Sequence, residues 1–124
     1  MQKLILLLCL ALCCAAIDAA APTPSVFIHH GFYTGNLYRN LPEVDRRLYV
    51  DGVIDGLMMS PLLGVQKSNL AWLESCVTGM QDDQAEAIIN QYLVAHPEKW
   101  DSDMEILVFL AIQDACAARG FPRR

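Results

Sequence analysis

Residues 4–12 are apolar without a break, and this run decides how much of the 124-residue chain is left to fold. A bilayer crossing needs about 20 apolar residues, so the run is too short for a membrane anchor. It has the length of a signal-peptide core, with Lys3 before it and Ala15, Ala16, Ala19, Ala20 and Ala21 after it. The expectation is export, with residues 1–21 removed and the cut falling between Ala16 and Ala21. A cut directly after Ala21 would leave Pro22 first, which suits signal peptidases badly. Two alternatives stand beside it: a buried N-terminal helix, and a lipoprotein acylated at Cys13 or Cys14. Leu12 is bulky where a lipoprotein needs a small residue, which ranks that reading lower.

Export leaves roughly 100 residues, enough for one modest core and no second domain. Residues 22–31, with Pro22 and Pro24, read as an extended leader and residues 32–124 as the folded domain. Losing Lys3 and Asp18 together leaves the net charge at −5. That balance argues against nucleic acid and anionic membrane surfaces and suits a basic protein partner. No second apolar run is long enough to hold the mature chain in a membrane, so it is expected free in solution. Of the 5 cysteines, only Cys76 and Cys116 survive processing. An even pair in a small exported domain reads as a disulfide, with two buried free thiols as the alternative.

Three segments carry helical signals. The first spans residues 42–59: Pro42 suits a first turn, and Glu43 and Asp45 complement the positive end of the dipole. Val44, Leu48, Tyr49, Gly52, Val53, Gly56 and Leu57 recur at helical spacing. Two glycines in that stripe cost about 1 kcal/mol each relative to alanine, a cost offset if another helix backbone packs closely there. The second helix is expected to start at Thr78 as N-cap, with Gln81 reaching back, and to carry Ala85, Ile88, Ile89, Tyr92 and Leu93 inward. Pro97 ends it after His96. The third is bounded by a Ser102–Glu105 capping pair and an Arg119-Gly120 stop. Its seven consecutive apolar residues, 106–112, point to burial on most sides. Shorter helical turns are expected over 34–41 and around 69–73, and residues 26–28 form a candidate strand with no partner. The expected class is all-α, a single bundle of four to five helices.

No metalloprotease motif, nucleophile elbow or phosphate loop occurs. The adjacent His29 and His30 lack further ligands nearby and read as solvated rather than metal-binding. His96 sits where a helix C-terminus favours positive charge. Asp51 and Asp55 lie four apart on one helical face, most simply a solvated polar face. The chain is therefore expected to be no enzyme and to carry no cofactor.

Tyr49-Val50-Asp51-Gly52-Val53-Ile54-Asp55 resembles the Tyr-x-x-Gly-x-x-Asp helix of the Rap/Tai-type immunity proteins. The likeness continues through Gly35-Asn36, Cys76-Val77-Thr78, Gln81, Tyr92-Leu93, His96-Pro97-Glu98 and Phe121-Pro122, covering residues 32–122. Two departures stand out. Family members often carry a cysteine shortly before the Tyr-x-x-Gly motif and another after the terminal Phe-Pro, where this chain has Arg46-Arg47 and Arg123. The resemblance implies a small helical periplasmic protein, often dimeric, that plugs the cleft of a Cys–His peptidoglycan amidase delivered by type VI secretion. Tyr49, Gly52, Asp55, Thr78, Gln81, Tyr92 and Pro97 then define the fold: Tyr49 in the core, Gly52 at a close helix contact, Asp55 hydrogen-bonded locally. Loops on a rigid scaffold commonly carry recognition, which directs attention to residues 60–75. Within them Trp72 is expected to anchor the partner and Glu74 to pair a charge, so that Trp72→Ala weakens binding and spares stability. The competing reading is a periplasmic acid-stress chaperone, and 14 carboxylates make acid sensitivity plausible for it.

Overall fold

The computed structural model describes residues 31–123, and the expected signal, the leader before Gly31, His29, His30 and the candidate strand at 26–28 lie outside them. Five α-helices follow one another: α1 Gly35–Arg39, α2 Glu43–Met59, α3 Ala71–Val77, α4 Asp82–Ala95 and α5 Met104–Ala118. Single 3-10 turns at Ser60–Leu63, Lys67–Leu70 and Pro97–Lys99 connect them. The described residues contain no strand, only an isolated antiparallel bridge between Thr34 and Asp103. The all-α class is what the chain adopts.

α5 is the centre because its apolar run demands neighbours on several sides. Met104, Leu107, Val108, Ala111, Ile112 and Cys116 are buried, and all four other helices pack on it. α4 turns inward the face expected of it, with Ala85, Ile89, Tyr92 and Leu93 buried and Ile88 half-buried. It ends at His96 and Pro97, as the proline requires. α1 lies against the loop before α5. There Gly35 is buried so tightly that a Cβ would stand 2.9 Å from Leu107 and 3.0 Å from the Trp100 carbonyl. The adjacent Asn36 donates from its side-chain amide to Asp101 at 2.7 Å.

Helix starts differ from the sequence expectation in two places. Thr78 is not the N-cap of α4 but the C-cap of α3, and its Oγ1 donates to the Glu74 carbonyl at 2.6 Å. Gly79 follows with φ +81°, a left-handed conformation that no helix interior accepts, so α4 begins three residues later. Gln81 is its N-cap, and the Gln81 N–H donates to the Gln84 side chain at 3.1 Å. The Ser102–Glu105 pair does not form either. Asp103 is the N-cap of α5, and the Met104 N–H goes to the Tyr33 carbonyl at 2.8 Å. A backbone partner from the N-terminal strap has replaced the side-chain cap. At the other end Gly120 and Phe121 N–H groups donate to the carbonyls of Ala117 and Cys116, closing the stop expected there.

α2 contributes one fully buried side chain, Val50. Tyr49, Val53, Ile54, Leu57 and Met58 pack half-buried beside it, and an ion cluster adds to this attachment. The Glu86 carboxylate of α4, 7% exposed, accepts from Arg46 Nε at 2.7 Å and from Arg47 Nε at 3.1 Å. Asn90 adds a third donor at 3.3 Å, and Arg46 also donates to the Leu41 carbonyl at 2.8 Å. Arg47 in turn pairs with Glu43 and lies 3.9 Å from Asp82. Burial pushes the Glu86 carboxyl up, but hydrogen bonds from Arg46, Arg47 and Asn90 outweigh it and hold the group below its ordinary range. α3 is tied to α5 by the Cys76–Cys116 disulfide, with Cα atoms 5.7 Å apart and both residues in the core.

Glu86→Gln is expected to cost about 2 kcal/mol in urea melts, less than the roughly 3–5 of a fully buried pair because both arginines still reach water. Because the folded pKa is depressed, the carboxylate's contribution is complete above the unfolded value near 4.3 and fades as pH falls through the folded one. The difference between wild type and variant should therefore shrink below about pH 4. Reducing the disulfide, which closes a 40-residue separation, should lower stability by about 4 kcal/mol, read as a shift in the melt with reductant.

Candidate partner-binding surface

The stripe at helical spacing along α2 is real, yet it does not face the core. Val44 and Leu48 are 66% and 63% exposed, Gly52 and Gly56 are exposed, and Met59 follows at 58%. Tyr49, Val53 and Leu57 are half-buried at its inner margin. A Cβ built on Gly52 or Gly56 meets nothing within 4 Å. The close helix approach expected at these glycines is therefore absent among the described residues. Val50 points inward with Tyr49, Val53, Ile54, Leu57 and Met58 half-buried around it, and the outer residues of the stripe ride on the outside.

The stripe runs on into the turn Ser60–Leu63. Ser60 Oγ donates to the Leu57 carbonyl at 2.6 Å, and the Gly64 and Val65 N–H groups close back onto Pro61 and Ser60. The backbone thus satisfies itself, and Leu62 and Leu63 project at 81% and 86% exposure. Two adjacent leucines held open in a closed turn are the most prominent apolar feature of the surface.

Trp72 is elsewhere. It is 8% exposed, its Nε1–H donates to the Asn69 carbonyl at 3.0 Å, and its ring meets Phe109 edge-on at 6.1 Å. α3 is short and pinned by the disulfide one turn later, so the indole is packed as core and is not placed to anchor a partner. Glu74 is exposed, as a charge partner needs. Tyr49 is half-buried in an aromatic group, 5.3 Å from Tyr33 and 5.9 Å from Tyr38. Burial first, then Glu105, Asp103 and Tyr33, push its hydroxyl up to about 12. Tyr92 is buried, and its hydroxyl accepts from Lys99 Nζ at 2.8 Å.

Asp55 is exposed and makes no hydrogen bond among the described residues, against the local bond expected of it. It lines a cleft of about 310 Å³ with Asp51 and Asp82, floored by Ile54, Val77, Met80 and Ala85. Asp51 is half-buried there, not simply solvated, and burial followed by repulsion from Asp82 and Asp55 raises its pKa. Among the described residues no group of three or more His, Cys, Asp or Glu is placed to hold a metal ion. No helix described is long and apolar enough to cross a membrane.

Sequence reasoning passed over two features. The bracket Pro61-Leu62-Leu63-Gly64 signals a tight turn with apolar side chains that have no helical face to join. Arg46-Arg47 and Glu86 lie 40 residues apart, and no local pattern pairs them. No family model matches the chain, nor does any curated protein or solved structure.

Trp72→Ala is expected to cost about 3–5 kcal/mol, as deletion of a buried aromatic does. Leu62→Ser with Leu63→Ser should change stability by less than about 1 kcal/mol, since each exposed site contributes within roughly 0.5. Paired thermal and urea melts of the two variants check both.

Proposed function

We propose that the protein works by binding: an exported immunity protein of the Rap/Tai type that blocks a cell-wall amidase effector in the periplasm. One observation carries this reading, the uncovered apolar edge that runs along α2 and ends at Leu62 and Leu63. A convex tip with a self-satisfied backbone fits a concave cleft, and side chains ordered beforehand lose little entropy on docking. The acidic surface, with Asp51, Asp55 and Asp82 beside the same helix, favours a basic partner. The sequence resemblance at Tyr49-x-x-Gly52-x-x-Asp55 is what suggests a Cys–His amidase as that partner.

A second reading, an acid-stress chaperone, draws support from the attachment of α2, to which the Glu86 carboxylate contributes and which weakens when acid neutralises it. The two separate cleanly. An inhibitor binds one hydrolase in fixed ratio at neutral pH, whereas a chaperone holds many clients near pH 2–3.

Where a neighbouring reading frame encodes a Cys–His hydrolase, periplasmic co-expression should rescue cells from its toxicity, and Leu62→Asp with Leu63→Asp should abolish rescue while the protein accumulates normally. Rescue unaffected by the double substitution would remove the tip from the mechanism. Absence of any rescue, with client holding in acid, would favour the chaperone.

A further inference from the structure

Between the outer flank of α2 and the first turns of α5 runs an apolar groove in two lobes, of about 490 and about 390 Å³. The lobes share Val53 and Glu105, so they are continuous. Gly52 and Gly56 form part of the floor, and with nothing within 4 Å of their would-be Cβ atoms an occupant can approach the helix backbone itself. From Leu48 to Gly56 the groove follows the helix for about 12 Å. Phe32 and Ile106, each about half exposed, stand at its sides.

Glu105 is the sole charged side chain lining either lobe. Its Oε2 is shielded from water, with Gly31 packed against the carboxylate, and finds no hydrogen-bond partner among the described residues. An unpaired carboxylate oxygen in such a setting costs free energy, and a cation that displaces Gly31 from it recovers that cost as a charge-assisted hydrogen bond. The net charge of −5 draws basic partners toward the surface as a whole. Apolar walls with one buried acceptor describe an occupant that is apolar along its length and carries a single basic group.

We propose that this groove seats an extended apolar segment of a partner protein, whose lysine or arginine pairs with Glu105. This rests on the reading above only in taking the partner to be a protein, not in its being an amidase. The groove shares Leu48, Gly52 and Gly56 with the stripe that continues into the Leu62–Leu63 turn, so tip and groove engage one partner along one face.

The test is a titration of the isotope-labelled exported protein with a capped peptide of two leucines, a lysine and two leucines, compared with its glutamine counterpart. The lysine peptide should shift the amides of Gly52, Gly56 and Ile106 and bind about tenfold tighter than the glutamine peptide, a difference in keeping with one charge-assisted hydrogen bond. Glu105→Gln should erase that preference and leave the glutamine peptide's affinity unchanged, which also shows that the variant folds. Equal binding of both peptides, shifts away from the groove, or no binding by either overturns the proposal. Two other outcomes overturn it in favour of a different occupant. The same amides shifting with protein concentration alone would identify a second copy, and binding only by a chain shortened to begin at Gly31 would identify the protein's own N-terminal residues. A hydrolase that fails to bind leaves this titration untouched, so the two readings fail separately.

Discussion

The contact on which the arrangement depends is the packing of α2 against the core, braced by Glu86 of α4. Val50 is the helix's one fully buried side chain, and Tyr49, Val53, Ile54, Leu57 and Met58 pack half-buried against the core beside it. The carboxylate adds a polar contact at the N-terminal end that agrees with this apolar face. Arg46 and Arg47 are adjacent, about 100° apart around the helix, and reach the one carboxylate at different oxygens, Arg46 at Oε1 and Arg47 at Oε2. This orientation sends Val50 into the core and the Val44–Leu48–Gly52–Gly56 line toward solvent.

Everything else in the described structure is conventional packing around α5. The disulfide fastens α3, the strap at Tyr33 and Thr34 fastens the start of α5, and the Trp100–Ser102 loop receives α1 over Gly35. These ties leave one rigid body with a single long apolar edge. Isolated exposed apolar residues are ordinary on protein surfaces, but a row along a helix that continues into two projecting leucines is not. Structure and proposed action meet at that edge: the core and the ion cluster together fix the helix and its rotation, and the rotation presents the surface.

Much of this was legible in the sequence, in a way that follows from range. The helices at 82–95 and 104–118 could be read because period, proline stops and a glycine stop act within a few residues. The Cys76–Cys116 link could be read because, with Cys9, Cys13 and Cys14 assigned to the expected signal, the two remaining cysteines admit one pairing. The cap at Thr78 misled because Gly79, two residues before the true N-cap, takes a left-handed turn that the capping pattern does not encode. Ser102 misled because a carbonyl from residue 33, some seventy positions away, took the place of a cap. The stripe on α2 was found, but periodicity reports that a face is apolar and not what covers it. Trp72 shows the same limit from the other side: an aromatic in an irregular segment looks available until the disulfide and Phe109 are seen to enclose it.

The most direct measurement is the solvent accessibility of individual methyl groups in dilute solution, read from broadening by a water-soluble paramagnetic agent. Strong broadening at Val44, Leu48, Leu62 and Leu63, with Val50, Leu107 and Val108 protected, is what an α2 packed on Val50 with its stripe outward requires. Protection of Val44 and Leu48 together with broadening at Val50 would mean the helix is rotated the other way, and the surface described here would not exist.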